Sequence, residues 1–183
     1  MKLIHHAFAL AAAAALAAPA QAIDVTGTTA GAATWARPVA NGNAPPEPPL
    51  SFVGTAVPYT ALQFTVSTAG TYNFLSTSVI PAEWDNYAFL YRNAFNPTAQ
   101  FANVLIGNDD FGGAVGVAGF SLALTAGTNY FFITTGFENT DFGSYTNSIT
   151  GPGSVNVVPE PASVALLALG LLGVLGAARR RSA

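Results

Sequence analysis

The chain has 183 residues, no cysteine and a formal net charge of −3. Without cysteine it has neither a disulfide framework nor a thiol nucleophile. Between residues 23 and 157, eight acidic residues stand against two basic ones, Arg37 and Arg92, which leaves a net charge of −6. A surface of that charge repels phosphate backbones, so the sequence excludes nucleic acid as a partner.

The first 22 residues have the pattern of a secretory signal peptide. Lys2 gives a short basic start, an alanine-rich apolar stretch runs from residue 7 to residue 18, and Ala20-Gln21-Ala22 closes it. Signal peptidase cuts after such a small-x-small triplet, so Ala20 and Ala22 form the expected cleavage site. We expect the mature protein to begin at Ile23.

Residues 23–157 are long enough for one domain with its own core. Residues 23–50 are rich in Gly, Ala, Thr and Pro and are expected to be an irregular lead-in, because proline donates no hydrogen bond to a sheet. Trp35 in this lead-in either covers an edge of the core or stacks on a ligand.

Beyond the lead-in, alternating apolar residues predict short strands. The predicted strands lie near residues 62–66, 72–76, 87–91, 101–106, 120–124 and 130–133. Tight turns are predicted at 67–70 and 125–128, because each segment contains a glycine, which adopts positive φ. Each turn joins two predicted strands. The sequence therefore predicts two hairpins, which we expect to face each other in the sandwich. Residues 136–153 are expected to be a loop. No amphipathic helix is predicted, so the fold class is an all-β, antiparallel β-sandwich.

This domain offers few groups for catalysis. Residues 23–157 contain no histidine, cysteine or lysine, which excludes a Ser-His-Asp triad and the usual zinc sites. Paired carboxylates can hydrolyse glycosidic bonds, but no spacing in this sequence singles out two opposed carboxylates. The prediction is a protein that is not an enzyme, with a small glycoside hydrolase as the remaining catalytic alternative.

Oxygen-bearing side chains cluster at the ends of predicted strands and in the last loop. They are Asp85, Asn108, Asp109, Asp110, Glu138 and Asp141. If these loops meet at one end of the sandwich, they form the oxygen-rich site that calcium prefers. The alternative is that each side chain caps its own turn, which needs no metal. Calcium is the one cofactor that the sequence suggests.

The domain has more aromatic residues than one face of a small core requires. They either fill the space between the sheets or include an exposed set that stacks on sugar rings. Phe137, Phe142 and Tyr145 are the expected sugar contacts in the second case, because they lie among Asn and Gly in a predicted loop. A calcium-dependent or aromatic-mediated polysaccharide-binding module is therefore an alternative to a purely structural role.

The last 26 residues have three parts in order. Val158-Pro159-Glu160-Pro161 comes first, an apolar run follows from residue 162 to residue 178, and Arg179-Arg180-Arg181 comes last. As a helix, the apolar run would be roughly 26 Å long, just enough to cross a membrane. The arginines would stay on the cytoplasmic side. This segment predicts a single transmembrane helix.

In the order and position of these parts, the tail resembles the PEP-CTERM sorting signal of Gram-negative bacteria. The resemblance implies transient residence in the inner membrane, recognition and removal of the tail by an exosortase, and delivery to the cell surface or the exopolysaccharide matrix. An ordinary C-terminal membrane anchor is the alternative.

Residues 59–136 resemble, less specifically, the bacterial pre-peptidase C-terminal type of jelly roll. The matching segments include Ala69-Gly70-Thr71-Tyr72, Asn108-Asp109-Asp110 and Leu124–Tyr130. The resemblance implies a jelly-roll-like sandwich but no activity, because the members of that family share none. The prediction is thus a signal peptide (1–22), a β-sandwich (23–157) and a sorting tail (158–183), in an exported, non-catalytic protein.

Overall fold

The computed structural model describes residues 20–82 and 84–158, and this part of the chain is built from β-strands. The strands are β1 (Gln21–Thr28), β2 (Thr34–Trp35), β3 (Val57–Val66), β4 (Gly70–Ile80), β5 (Asn86–Arg92), β6 (Val104–Asn108), β7 (Val117–Leu124), β8 (Tyr130–Gly136), β9 (Ser144–Gly151) and β10 (Val155–Val157). A single turn of 3₁₀ helix, Phe111–Gly113, separates β6 from β7. The predicted all-β class is confirmed.

Two predicted segments fall mostly or wholly outside the described residues. They are the signal peptide, of which residues 1–19 are not described, and the transmembrane helix of the tail. Within residues 20–82 and 84–158, no helix has the length and apolar character needed to cross a membrane.

The strands form two antiparallel sheets. One has the order β1-β9-β4-β7, and the other has the order β10-β3-β8-β5-β6, with the short β2 paired to β3. Their facing sides enclose a core in which the ring of Phe74 packs against the rings of Phe64, Phe120 and Phe132, at centroid distances of 5.2–5.9 Å. This arrangement confirms the predicted antiparallel sandwich.

A second cluster of buried side chains lies on the opposite, outer face of the six-stranded sheet. Because side chains alternate along a strand, Tyr87, Phe89 and Tyr91 of β5 all point to this outer face, and Ala88 and Leu90 point between the sheets. Both sets are buried, since the lead-in covers the outer rings.

Trp35 is part of this cover. It is 4% exposed, its ring lies 5.5 Å from that of Phe89, and its Nε1 donates a hydrogen bond to Oγ1 of Thr135 at 3.0 Å. Of the two roles weighed for Trp35, covering the core is therefore confirmed, and direct stacking on a ligand is wrong.

The two predicted hairpins are wrong. β3 and β4 lie in different sheets, and so do β7 and β8, so each tight turn carries the chain from one sheet to the other. The pairs that form are β3 with β8 and β4 with β7. Glycine has the expected role at the second turn, where Gly127 has a φ of 71°. The turn residues specify a reversal of the chain but not which strand becomes the neighbour.

Three strands lie in segments that were expected to be irregular or looped. The lead-in contains β2 and most of β1, and the predicted loop 136–153 contains β9. β1 and β9 pair with each other over eight residues. Their side chains are mostly Thr, Ser, Asn and Gly, so the apolar alternation that marks the other strands is weak. β9 is nevertheless central, and its polar Asn147 is buried and hydrogen-bonded to Thr134 of the facing sheet.

The predicted signal-peptidase site lies at the start of β1. Ala20 and Ala22 are exposed, and Ala22 is paired with Thr150 of β9. A cut after Ala22 removes the first two residues of β1 and leaves the remaining six paired with β9.

Candidate metal centre

Asp85, Asp109 and Asp110 meet at one end of the six-stranded sheet. Asp85 precedes β5, and the other two follow β6. Because β5 and β6 are antiparallel neighbours, with Ala88 opposite Asn108, the start of one strand lies beside the end of the other. Each of the three carboxylates has an oxygen within 4.8 Å of the others. We call these three residues the acidic cluster.

Two oxygens of the acidic cluster are buried without a hydrogen-bond partner among the described residues: Oδ1 of Asp85 and Oδ1 of Asp109. A buried polar atom without a partner costs roughly 1–3 kcal/mol, and more when the group is charged. Native proteins contain few such atoms, because buried polar groups are generally bonded to protein, to ordered water or to an ion. These two oxygens are therefore the atoms of the cluster that a bound cation or an ordered water would satisfy.

Burial and mutual repulsion act on the same two carboxyls. The pKa of Asp109 is raised to about 7, first by burial and then by the charges of Asp85 and Asp110. The pKa of Asp85 is raised to about 6, first by burial and then by the charges of Asp110 and Asp141. Arg37 acts in the opposite direction on both but does not cancel these effects. The cluster is thus a site where negative charge is only partly compensated.

Arg37 is held behind the acidic cluster by contacts of its own. Its guanidinium carbon lies 4.3 Å from the centroid of the Tyr87 ring and 4.9 Å from that of Phe137. Nε and Nη2 donate to the carbonyl of Phe137 at 3.0 and 2.6 Å, and Nη1 donates to that of Pro38 at 3.0 Å. These bonds connect the lead-in to the segment after β8, and they are directed to backbone carbonyls and not to the carboxylates of the acidic cluster.

The remaining predicted ligands lie outside the three-carboxylate group. Asn108 donates through Nδ2 to the carbonyl of Gly119 on β7 at 2.7 Å. Oδ2 of Asp141 accepts a hydrogen bond from the backbone N–H of Glu138 at 2.8 Å. This last contact is the turn capping that the sequence offered as the alternative to a metal.

The acidic cluster fits calcium better than a transition metal. Calcium–oxygen distances are about 2.3–2.6 Å, so two oxygens on one ion lie up to roughly 5 Å apart. The oxygens of the cluster satisfy this limit. Carboxylates without His or Cys are the hard ligands of calcium or magnesium. Asp85, Asp109 and Asp110 would hold the ion, which would supply the compensating positive charge.

The three aromatic residues predicted as sugar contacts have different environments. Phe142 is 44% exposed, and Phe137 is half-buried against Arg37. Tyr145 is only 6% exposed, and its hydroxyl lies 2.7 Å from Oγ1 of Thr60. The expectation that Tyr145 is exposed is wrong, because residue 145 belongs to a strand that turns its ring inward and not to a loop.

Sequence reasoning missed the buried Arg37 and the exposed Phe52. Both line a pocket of about 300 Å³ that also includes Tyr87, Asp109 and Phe137. Phe52 is 89% exposed. A signal for Arg37 was available, since it is one of only two basic residues between positions 23 and 157. No pattern in the sequence around residue 52 distinguishes Phe52 from a core residue.

Comparison with known proteins identifies the end of the chain. Residues 157–181 match the PEP-CTERM protein-sorting motif. The predicted sorting tail is therefore confirmed, and the motif implies an exported protein that an exosortase recognises and that is directed to the cell surface. No curated protein matches the chain.

Among solved structures, the chain is similar to the K3 cleaved adhesin domain of Lys-gingipain (Kgp) from Porphyromonas gingivalis w83. The similarity covers 73% of this chain and 91% of that domain, with 15% sequence identity and a TM-score of 0.33. A similarity at this level carries no argument about what the present chain binds.

We predict that, with calcium removed by EDTA, the acidic cluster makes the protein less stable as the pH rises. The folded-state pKa values of Asp85 and Asp109, about 6 and about 7, exceed the value of about 3.9 for an unfolded aspartate. The protonated carboxyls therefore favour the folded state at low pH, and this contribution is lost as the pH rises through 6 and 7. Thermal unfolding at a series of pH values measures the effect.

Asp109→Asn provides the comparison that isolates this contribution. The amide carries no charge, so the variant should melt at a higher temperature than the wild type at about pH 8 in EDTA, with a shallower pH dependence. Glu47→Gln alters an exposed carboxylate of the lead-in and serves as the control for the loss of one carboxylate outside the cluster. Identical stability profiles for Asp109→Asn and the wild type would contradict the raised pKa of Asp109.

Proposed function

We propose that this protein is a non-catalytic component of the cell surface or of the exopolysaccharide matrix, and that it reaches that place through its C-terminal tail. The match of residues 157–181 to the PEP-CTERM motif is the observation that carries the proposal. The lack of histidine, cysteine and lysine in residues 23–157 supports a non-catalytic role.

The junction between the sandwich and the tail supports removal of the tail without loss of the domain. β10 pairs with β3, with Val157 opposite Phe64, and the backbone N–H of Val158 donates to the carbonyl of Gln63 at 2.9 Å. Pro159 follows directly, and proline cannot donate a further ladder bond. A cut at Pro159-Glu160-Pro161 would leave every described strand in place.

We further infer that the sandwich is a jelly roll. Two antiparallel sheets with four principal strands each, β1-β9-β4-β7 and β3-β8-β5-β6, support this topology, as do the connections that cross between the sheets. The narrower resemblance to the pre-peptidase C-terminal type stays a prediction.

Calcium-dependent polysaccharide binding is the second candidate function. The partnerless oxygens of Asp85 and Asp109 favour it. Calcium takes six to eight oxygen ligands, so three carboxylates leave positions that sugar hydroxyls can occupy. Asp109 also borders the pocket that contains Phe52, which would place an exposed ring beside the ion.

Deletion of the exosortase gene from the native host should keep the full-length protein in the membrane fraction. The reason is that the apolar run from residue 162 to residue 178 would no longer be removed. Immunoblots of membrane and extracellular fractions measure the distribution. A chain ending at Val157 should be released from both strains and serves as the control. The sorting proposal would be contradicted if the protein encoded with its tail were released equally from the strain with the exosortase and the strain without it.

Calcium should raise the melting temperature of the wild-type protein by roughly 5–10 °C at about 100 times its Kd. Asp109→Ala and Asp110→Ala should abolish this rise, because each removes a carboxylate of the acidic cluster. Glu47→Ala removes an exposed carboxylate outside the cluster and should retain the rise. The calcium site is refuted if both cluster variants respond to calcium as the wild type does.

A further inference from the structure

A second pocket, on the outer face of the six-stranded sheet, shares no residue with the acidic cluster. Its volume is about 510 Å³, and three segments distant in sequence line it: Ala32 and Ala33 after β1, residues 59–61 of β3, and Phe95 with Pro97 after β5. Ligand pockets have volumes of roughly 300–1,000 Å³. None of the lining residues is charged, so the pocket offers rings, methyl groups and hydroxyls.

Two half-buried rings, Tyr59 and Phe95, lie in this pocket in fixed positions. Their centroids are 5.4 Å apart, with an interplanar angle of 71°. Both rings also contact Trp35, at 5.6 and 5.5 Å. Trp35 is in turn fixed by its hydrogen bond to Thr135. A ligand that packs on Tyr59 and Phe95 therefore meets rings that are already ordered, which reduces the entropic cost of binding.

Tyr59 differs from the other five tyrosines of the chain, all of which lie in the described part. The hydroxyl groups of the others are hydrogen-bonded within the protein, at Tyr72, Tyr87, Tyr91, Tyr130 and Tyr145. The hydroxyl of Tyr59 makes no hydrogen bond within the described part of the chain, although its backbone N–H donates to the carbonyl of Ala33. A half-buried phenol in a pocket is thus left to bond a partner from outside the chain.

We propose that this pocket binds a neutral polysaccharide, with one sugar ring packed on Tyr59 and Phe95. The C–H face of a sugar ring packs on an aromatic ring, and the hydroxyls at its edge can exchange a hydrogen bond with the Tyr59 hydroxyl. This inference rests on the proposed function, because a protein of the surface or matrix meets polysaccharide after export.

The chemistry of the pocket distinguishes a neutral sugar from two other ligand classes. An acidic polysaccharide would find no basic side chain in the lining and would approach a domain of net charge −6. A hydrocarbon chain would pack on the rings but leave the Tyr59 hydroxyl without a partner, which costs roughly 1–3 kcal/mol if the group is enclosed. A neutral sugar satisfies both the rings and the hydroxyl.

The test is affinity electrophoresis of the processed protein released from cells, in gels that contain dextran, laminarin or galactomannan, with alginate as the acidic counterpart. We expect retardation in at least one neutral gel and none in alginate. Tyr59→Ala and Phe95→Ala should weaken binding by about tenfold or more, as truncation of a central aromatic contact does. Phe111→Ala removes an exposed ring outside the pocket and should bind as the wild type does.

Tyr59→Phe keeps the ring and its packing, so it reports on the hydroxyl even if Tyr59→Ala does not fold. It should weaken binding several-fold, as expected for the loss of one hydrogen bond, with an unchanged melting temperature. Trp35 provides a second signal because it contacts both rings. In a Trp84→Phe background it is the single tryptophan, and the glycan that retards the protein should change its fluorescence.

The outcomes separate this inference from the proposed function. Binding to a neutral glycan with unchanged affinity in Tyr59→Ala, Tyr59→Phe and Phe95→Ala would place the binding elsewhere and overturn this site alone. Lack of retardation in every neutral gel would overturn the polysaccharide pocket. The distribution of the protein between the membrane and extracellular fractions tests the proposed function independently of either result.

Discussion

Burial of the outer face of the six-stranded sheet by the lead-in is the interaction on which both candidate sites depend. Trp35 packs on Phe89 and is fixed by Thr135, while Arg37 lies buried over the Tyr87 ring. Without this cover, the outer aromatic rings of β5 would face water, and burial of each such ring contributes roughly 1.5–3 kcal/mol. The sandwich is therefore a two-sheet core with a third layer, and both pockets lie where that layer meets the sheet.

The third layer also sets the electrostatics of the acidic end. Arg37 is a buried cation whose donors are directed to backbone carbonyls, so it moderates the charge of the acidic cluster without forming hydrogen bonds to it. Two carboxylate oxygens remain buried and partnerless, and the pKa values of Asp85 and Asp109 are raised. Both observations have one physical cause, which is negative charge brought out of water without enough compensation. A bound calcium ion would supply the missing positive charge.

Much of the fold could be predicted from local sequence patterns. The parts that could not be predicted depend on contacts between segments that are distant in the chain. The alternation of apolar residues located β4, β5 and β7, and the positions of Asp85 and Asp109 at strand ends predicted their convergence. β9 escaped detection because its sequence, Ser144–Gly151, is mostly polar and its burial depends on partners distant in the chain. The pairing of β3 with β8 is likewise a long-range choice that turn residues do not encode. The position of Tyr59 in a pocket could not be predicted, because the pocket is lined by segments that are distant in the sequence.

We propose that the sandwich is the part of the protein that remains after export and sorting. The experiment that we would do first is to measure the intact mass of the protein released from native cells. We expect a chain that lacks residues 1–22 and ends near Pro159–Pro161, with the sandwich complete. A protein found in the membrane fraction that still carries Arg179–Arg181 would contradict it, because the tail would then be an ordinary anchor.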